Sequence, residues 1–121
     1  MRYLKSINEH NKDYFNDLIN WEMIADAKEL SLDYLDQGML FSIYVLNGGR
    51  QVYREHYSHD PNEVEKVWVD NDYKLDIQYK FFLSEHVKGD YIRPTPISHE
   101  ARNMLVDELK KMYPDEKIYY F

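Results

Sequence analysis

A chain of 121 residues, 44% hydrophobic and 16% aromatic, is long enough to bury a core of its own and reads as a single domain over residues 1–121. It has no cysteine, which excludes disulfides, thiolate metal sites and cysteine nucleophiles. A formal net charge of −7 disfavours generic binding to nucleic acid or anionic membranes, and no apolar run approaches the roughly 20 residues of a membrane span. Residues 1–5 lack the apolar core of a signal peptide, so a soluble, cytoplasmic protein is expected.

Taken in order, residues 1–5 suit a short first strand, and Ser6 or Asn8 suits the cap of a helix. Tyr14, Phe15, Leu18 and Ile19 fall at helical spacing. Around Asn20 and Trp21 the apolar stripe changes phase, which predicts a kink or break. The second helical run turns Met23, Ile24, Ala27, Leu30, Ser31, Tyr34 and Leu35 inward and ends at Gly38, a natural left-handed residue. Residues 39–46 are apolar except Ser42, which predicts a central strand covered on both faces. Asn47-Gly48-Gly49 predicts a tight hairpin. Residues 50–57 return as a more polar strand, placed nearer an edge.

Residues 56–62 read as a turn, in which Asp60-Pro61-Asn62-Glu63 has the spacing of a capping box, and residues 64–69 as a short strand. The clearest signal spans residues 73–83. There Tyr73, Leu75, Ile77, Tyr79, Phe81 and Leu83 alternate with Lys74, Asp76, Gln78, Lys80 and Phe82, so one face is buried and the other mostly wet. Residues 85–95, with Gly89 and Pro94, read as a surface loop. Thr95 followed by Pro96, or Ser98 as the cap, opens a last helix with a core stripe of Ala101, Met104, Leu105, Leu109 and Met112. Pro114 ends it, and residues 117–121 finish as a strand. The expected class is α+β in the order (β)α-ββββ-αβ: a two-layer sandwich with helices on one face of a mainly antiparallel sheet of four to six strands. Pairing of residues 1–5 would make it a ferredoxin-like variant.

The charge is concentrated. Residues 9–36 hold eight acids against two bases, Lys12 and Lys28. At the helical repeat, Glu22, Asp26, Glu29, Asp33 and Asp36 fall within a band about 80° wide, opposite the apolar stripe and free of Lys or Arg. Like charges at this spacing oppose the helix by roughly 0.2–0.5 kcal/mol per pair. Such a ridge suits a basic partner surface, a nucleic-acid-binding groove of another protein included, and speeds encounter with it. The simpler reading is a solvated helix face.

Two further groups have chemical interest. His56, His59 and Asp60 offer two imidazoles and a carboxylate to a metal ion, although a polar turn explains the same residues. Lys88, Arg93, Ser98 and His99 surround the start of the last helix, where an anion can bind, although Glu85, Asp90 and Glu100 offset them and capping alone accounts for them. No Gly-rich phosphate loop, nucleophile elbow or HExxH motif is present. Phe82, Tyr119, Tyr120 and Phe121 suit the core or an oligomer interface, and a terminal strand left at an edge can pair with a second copy.

The opening Met1-Arg2-Tyr3-Leu4-Lys5-Ser6-Ile7-Asn8-Glu9 resembles the start of small accessory proteins encoded by large tailed phages. The run Ala27-Lys28-Glu29-Leu30-Ser31-Leu32-Asp33-Tyr34-Leu35-Asp36-Gln37-Gly38, leading into Phe41-Ser42-Ile43-Tyr44-Val45, is similar to them too: a helix rich in Leu, Asp and Glu ends at glycine and enters a strand. The resemblance covers about the first 45 residues, and Ile7 departs from the aromatic expected there. It implies a phage accessory protein that blocks a host function, and it carries over no catalytic residue. The resulting expectation is a non-enzymatic acidic interaction protein without a cofactor, of the anti-defence or DNA-mimic kind, acting in the host cytoplasm on a basic partner and not on nucleic acid directly. The alternatives are a small metal-dependent or ligand-binding enzyme using His56, His59 and Asp60, and an oligomeric virion or assembly component.

Overall fold

The structure, a computed structural model, describes residues 16–58, 65–68, 76–88 and 91–119. The expected first strand, Tyr14, Phe15, the capping box at residues 60–63, Tyr73, Leu75, Tyr120 and Phe121 lie outside the described residues.

The phase change at Asn20 is a helix boundary. Residues 16–18 are helical, the chain bends at Ile19, and helix α1 (Trp21–Asp36) begins with Asn20 as its cap. The Asn20 Oδ1 accepts the Met23 N–H at 3.0 Å, satisfying one of the unpaired donors of the first turn. At the far end Gly38, at φ +89°, donates its N–H to the Leu35 carbonyl, and Met39 donates to Tyr34. This is the two-bond left-handed closure that favours glycine. Met23, Ile24, Ala27, Ser31 and Leu35 are buried, with Leu30 and Tyr34 packed beside them, as the periodicity predicts.

The strands are β1 (Leu40–Asn47), β2 (Arg50–Tyr57), β3 (Glu65–Trp68), β4 (Ile77–Lys88), β5 (Tyr91–Arg93) and, after helix α2 (Pro96–Met112), β6 (Ile118–Tyr119). The sheet order is β3-β2-β1-β4-β5, and β6 pairs with β4. Gly48 and Gly49 both take positive φ and close the β1–β2 hairpin. Tyr79, Phe81 and Leu83 are buried, as the alternation in β4 predicts. A strand reached through a helix can return parallel, and β6 does so, with Tyr79 opposite Ile118.

Three expectations need correction. Residues 85–95 are not one loop: β4 runs on to Lys88 and β5 folds back on it, Glu85 opposite Arg93. Among the described residues five strands therefore separate the helices instead of four. β2 does lie nearer an edge than β1, one strand in, between β3 and β1; its polar composition also hides a buried glutamate with its own partners. β1 is central but its faces are unequally covered: Phe41, Ile43 and Val45 are fully buried, while on the other face Leu40, Ser42 and Tyr44 are half-buried and Leu46 alone is buried. In α2, Met104 and Met112 are exposed, and Arg102 and Val106 are buried beside Ala101, Leu105 and Leu109. Arg102 is buried although charged, and its guanidinium lies over the ring of Phe82, a residue of the sheet's other face.

The start of α2 follows the first of the two expected caps. The Thr95 Oγ1 accepts the Ser98 N–H, the Ser98 Oγ accepts the Thr95 N–H, and the Thr95 hydroxyl donates to Glu85 at 2.7 Å. The result is an α+β fold of two layers. Both helices pack on the sheet face that carries Phe41, Ile43, Val45, Tyr79 and Phe81, leaving the other face partly open.

Candidate functional site

The acidic ridge exists as a helix face. Glu22, Glu29, Asp33 and Asp36 are exposed, and Asp26 is half-buried because its carboxylate accepts the Tyr113 hydroxyl just beyond α2. That hydrogen bond, with partial burial and the negative charge of Asp26 and Glu22, pushes the Tyr113 hydroxyl up to about 12. The only base in the sequence of α1 is turned away from the ridge. Lys28 places its Nζ 3.3 Å from the Glu55 Oε2 and 5.0 Å from the centre of the Tyr57 ring. The ridge therefore keeps its charge.

Glu55 itself is 1% exposed. Burial alone would raise its carboxyl, but the hydroxyls of Tyr53 and Tyr57 and the ammonium of Lys28 outweigh burial and hold it below the ordinary carboxylate range. Burial first, and then the Glu55 charge, push both tyrosine hydroxyls well above their ordinary value. Trp21 closes the group edge-on to Tyr53. The two carboxylate oxygens are taken up by Tyr53 and Lys28, so the group braces α1 against β2. Periodicity misses it; the only sequence signal is a lone glutamate between tyrosines on a strand and a lone lysine on a helix.

The metal reading gathers no support from the part of it that is described. His56 Nδ1 is 2.7 Å from the Ser42 Oγ, its cross-strand partner, while His59 and Asp60 lie outside the described residues. Among the described residues no group of three His, Asp or Glu side chains converges as a metal set. Ser42 and His56 have the contact of a nucleophile and its base. Both, however, sit within strands, and Ser42 is paired on both sides, so the backbone N–H groups of its strand serve the ladder and not an oxyanion.

Among the described side chains, the candidate anion group near α2 does not converge. Ser98 is buried in the capping box, Arg93 sits opposite Glu85 on β5, His99 lies 3.3 Å from Arg102, and Lys88 ends β4. Capping accounts for the residue types there.

What sequence reasoning did not single out is the open sheet face. Cross-strand register sets His56, Ser42 and Phe82 in one row and Arg54, Tyr44 and Lys80 in the next. Tyr44 meets Phe82 edge to face at 5.5 Å and His56 at 5.7 Å. A hollow of about 440 Å³ lies here, walled by Tyr44, Leu46, Phe82 and Pro94, with Ser42, Ser84 and Lys80 supplying polar atoms. A smaller hollow of about 220 Å³ adjoins it through Ser42 and Ser84 and reaches His56 and Ile92. The signals were present: Ser42 interrupts an apolar run, and Phe82 stands on the wet side of β4.

No described helix is long and apolar enough to cross a membrane. The chain matches no protein-family model, no curated protein and no solved structure.

Proposed function

We propose that the chain is a non-enzymatic interaction protein whose acidic α1 face engages a basic surface of a protein partner. One observation carries the reading: four exposed carboxylates share that face while Lys28, the helix's own base, is spent inward on Glu55. Neutralising the ridge internally would have been the cheaper arrangement, since like charges three or four residues apart oppose the helix. Presented outward over about 20 Å of helix, the same charges raise the encounter rate with a cationic groove and reject anionic surfaces. A partner whose groove normally holds nucleic acid fits this chemistry, as does the resemblance to phage accessory proteins.

Capture from a bacterial lysate on the immobilised chain tests the reading. The expected result is a basic protein retained at low salt, released at high salt and absent when Glu29→Lys and Asp33→Lys are combined. Asp26 is left alone because its reversal would also break the contact with Tyr113. Retention of the same proteins by the reversed variant would sink the reading.

A further inference from the structure

Net charge is an average, and the two layers of this molecule differ from it in opposite directions. The helix face concentrates acid, whereas among the described residues that line the two hollows of the open sheet face none is acidic. Arg54 and Lys80 stand on either side of Tyr44 by register. Glu65 on β3 lies opposite His56, at the far edge of the sheet from β4. Lys80 makes no ion pair among the described residues, so its ammonium is available to an incoming anion.

The walls are suited to a flat ring. Tyr44 and Phe82 meet at 82°, forming a corner in which a planar heterocycle can stack on one ring and meet the edge of the other. Leu46 and Pro94 add apolar surface, and the hydroxyls of Ser42 and Ser84 offer hydrogen bonds beside it. A hollow of about 440 Å³ falls in the range of small-ligand sites. Aromatic side chains with nearby cations on an open sheet face are a general solution to holding a base and its phosphate together.

We propose that this hollow binds a nucleotide, its base stacked in the Tyr44–Phe82 corner and its phosphate on the Lys80 ammonium. A free nucleotide and a nucleotide within a single strand offer the same base and phosphate, and the test separates them. The inference is independent of the acidic ridge and stands or falls by itself.

The experiment is a chemical-shift titration of the labelled, full-length chain with AMP, adenosine, inorganic phosphate and a short oligoadenylate. AMP is expected to move the amides of Ser42, Tyr44, Lys80 and Phe82, and adenosine to bind the same place about tenfold more weakly. Lys80→Gln is expected to weaken AMP about tenfold while leaving adenosine unchanged, a pattern that general unfolding cannot produce. Tyr44→Ala, checked for a folded spectrum, should weaken both. Oligoadenylate binding more tightly per nucleotide than AMP assigns the site to a strand; equal affinity assigns it to the free nucleotide. The proposal is overturned by absence of shifts up to about 10 mM AMP, where even a weak site fills, by shifts confined to other faces, or by a Lys80→Gln variant that binds AMP as the wild type does.

Discussion

The Lys28 ammonium and the Glu55 carboxylate lie 3.3 Å apart across the boundary between α1 and β2. Removing one member of a buried pair strands the other, so the two substitutions should not cost the same. Lys28→Met leaves the Glu55 carboxylate, 1% exposed, without its cation and should cost about 3 kcal/mol in urea unfolding. Glu55→Ala strands a lysine that is 35% exposed and can turn to water. Its loss should be nearer about 1–2 kcal/mol, the penalty of a buried Tyr53 hydroxyl without its acceptor. Equal losses would show that the pair does not brace the fold as described.

The same carboxylate gives the fold a pH dependence with a definite sign. Its folded-state value is held below its unfolded one. Its contribution is therefore complete above the ordinary carboxylate range and is lost as the pH falls through the depressed value. Relative to the wild type, Glu55→Gln should flatten the acid side of a plot of stability against pH. An unchanged acid limb would contradict the assignment.

The beginning of α1 is tied to the sheet by one backbone hydrogen bond. Asn20 donates its N–H to the Tyr79 hydroxyl at 2.9 Å, and its side-chain amide donates to Glu116 at 3.1 Å. Tyr79 is fully buried. Burial, with the Glu116 charge added and the Asn20 N–H opposing, pushes its hydroxyl up to about 12. Tyr79→Phe should cost about 1–2 kcal/mol, the penalty of an N–H left without its acceptor. Asn20→Ala should cost about 1 kcal/mol through the lost cap. Thermal unfolding of both singles and the double variant should show nearly additive losses, because Asn20→Ala removes the side-chain cap and keeps the backbone N–H that Tyr79 accepts.

Thr95 serves three groups at once: the Ser98 N–H, the Ser98 hydroxyl and Glu85 on β4. Thr95→Ala should therefore cost about 1–2 kcal/mol, toward the upper end for a cap, while Thr95→Ser should recover most of it. Equal melting temperatures for alanine and serine would mean that the capping box contributes nothing.

How much of this was legible in the sequence differs by element. The boundary at Asn20, the closure at Gly38, the Gly48-Gly49 turn and the buried face of β4 follow from local rules, and the structure has all four. β5 was not legible, because a three-residue strand with charged neighbours has the composition of a loop. The burial of Glu55 on β2 was not legible, because a glutamate counts as polar until its partner on another element is known. Met104 and Arg102 exchanged places for a similar reason: Arg102 counts as solvent-facing until the ring that its guanidinium covers, Phe82, is known. The ridge was legible since helix angles need only the sequence, whereas the open-face hollow depends on which face the helices leave uncovered.

The central claim is that the α1 carboxylates act as one outward anionic trap for a cationic surface. Its most direct measurement is the affinity of the chain for a fluorescent arginine-rich peptide, followed by anisotropy across a salt series. The account predicts that Glu29→Lys with Asp33→Lys weakens binding about tenfold or more at low salt and flattens the salt dependence. A variant with two exposed acids reversed elsewhere, Glu108→Lys with Asp115→Lys, should bind much as the wild type does. Equal weakening by both pairs of reversals would mean that only total charge matters, and the ridge would have no part of its own.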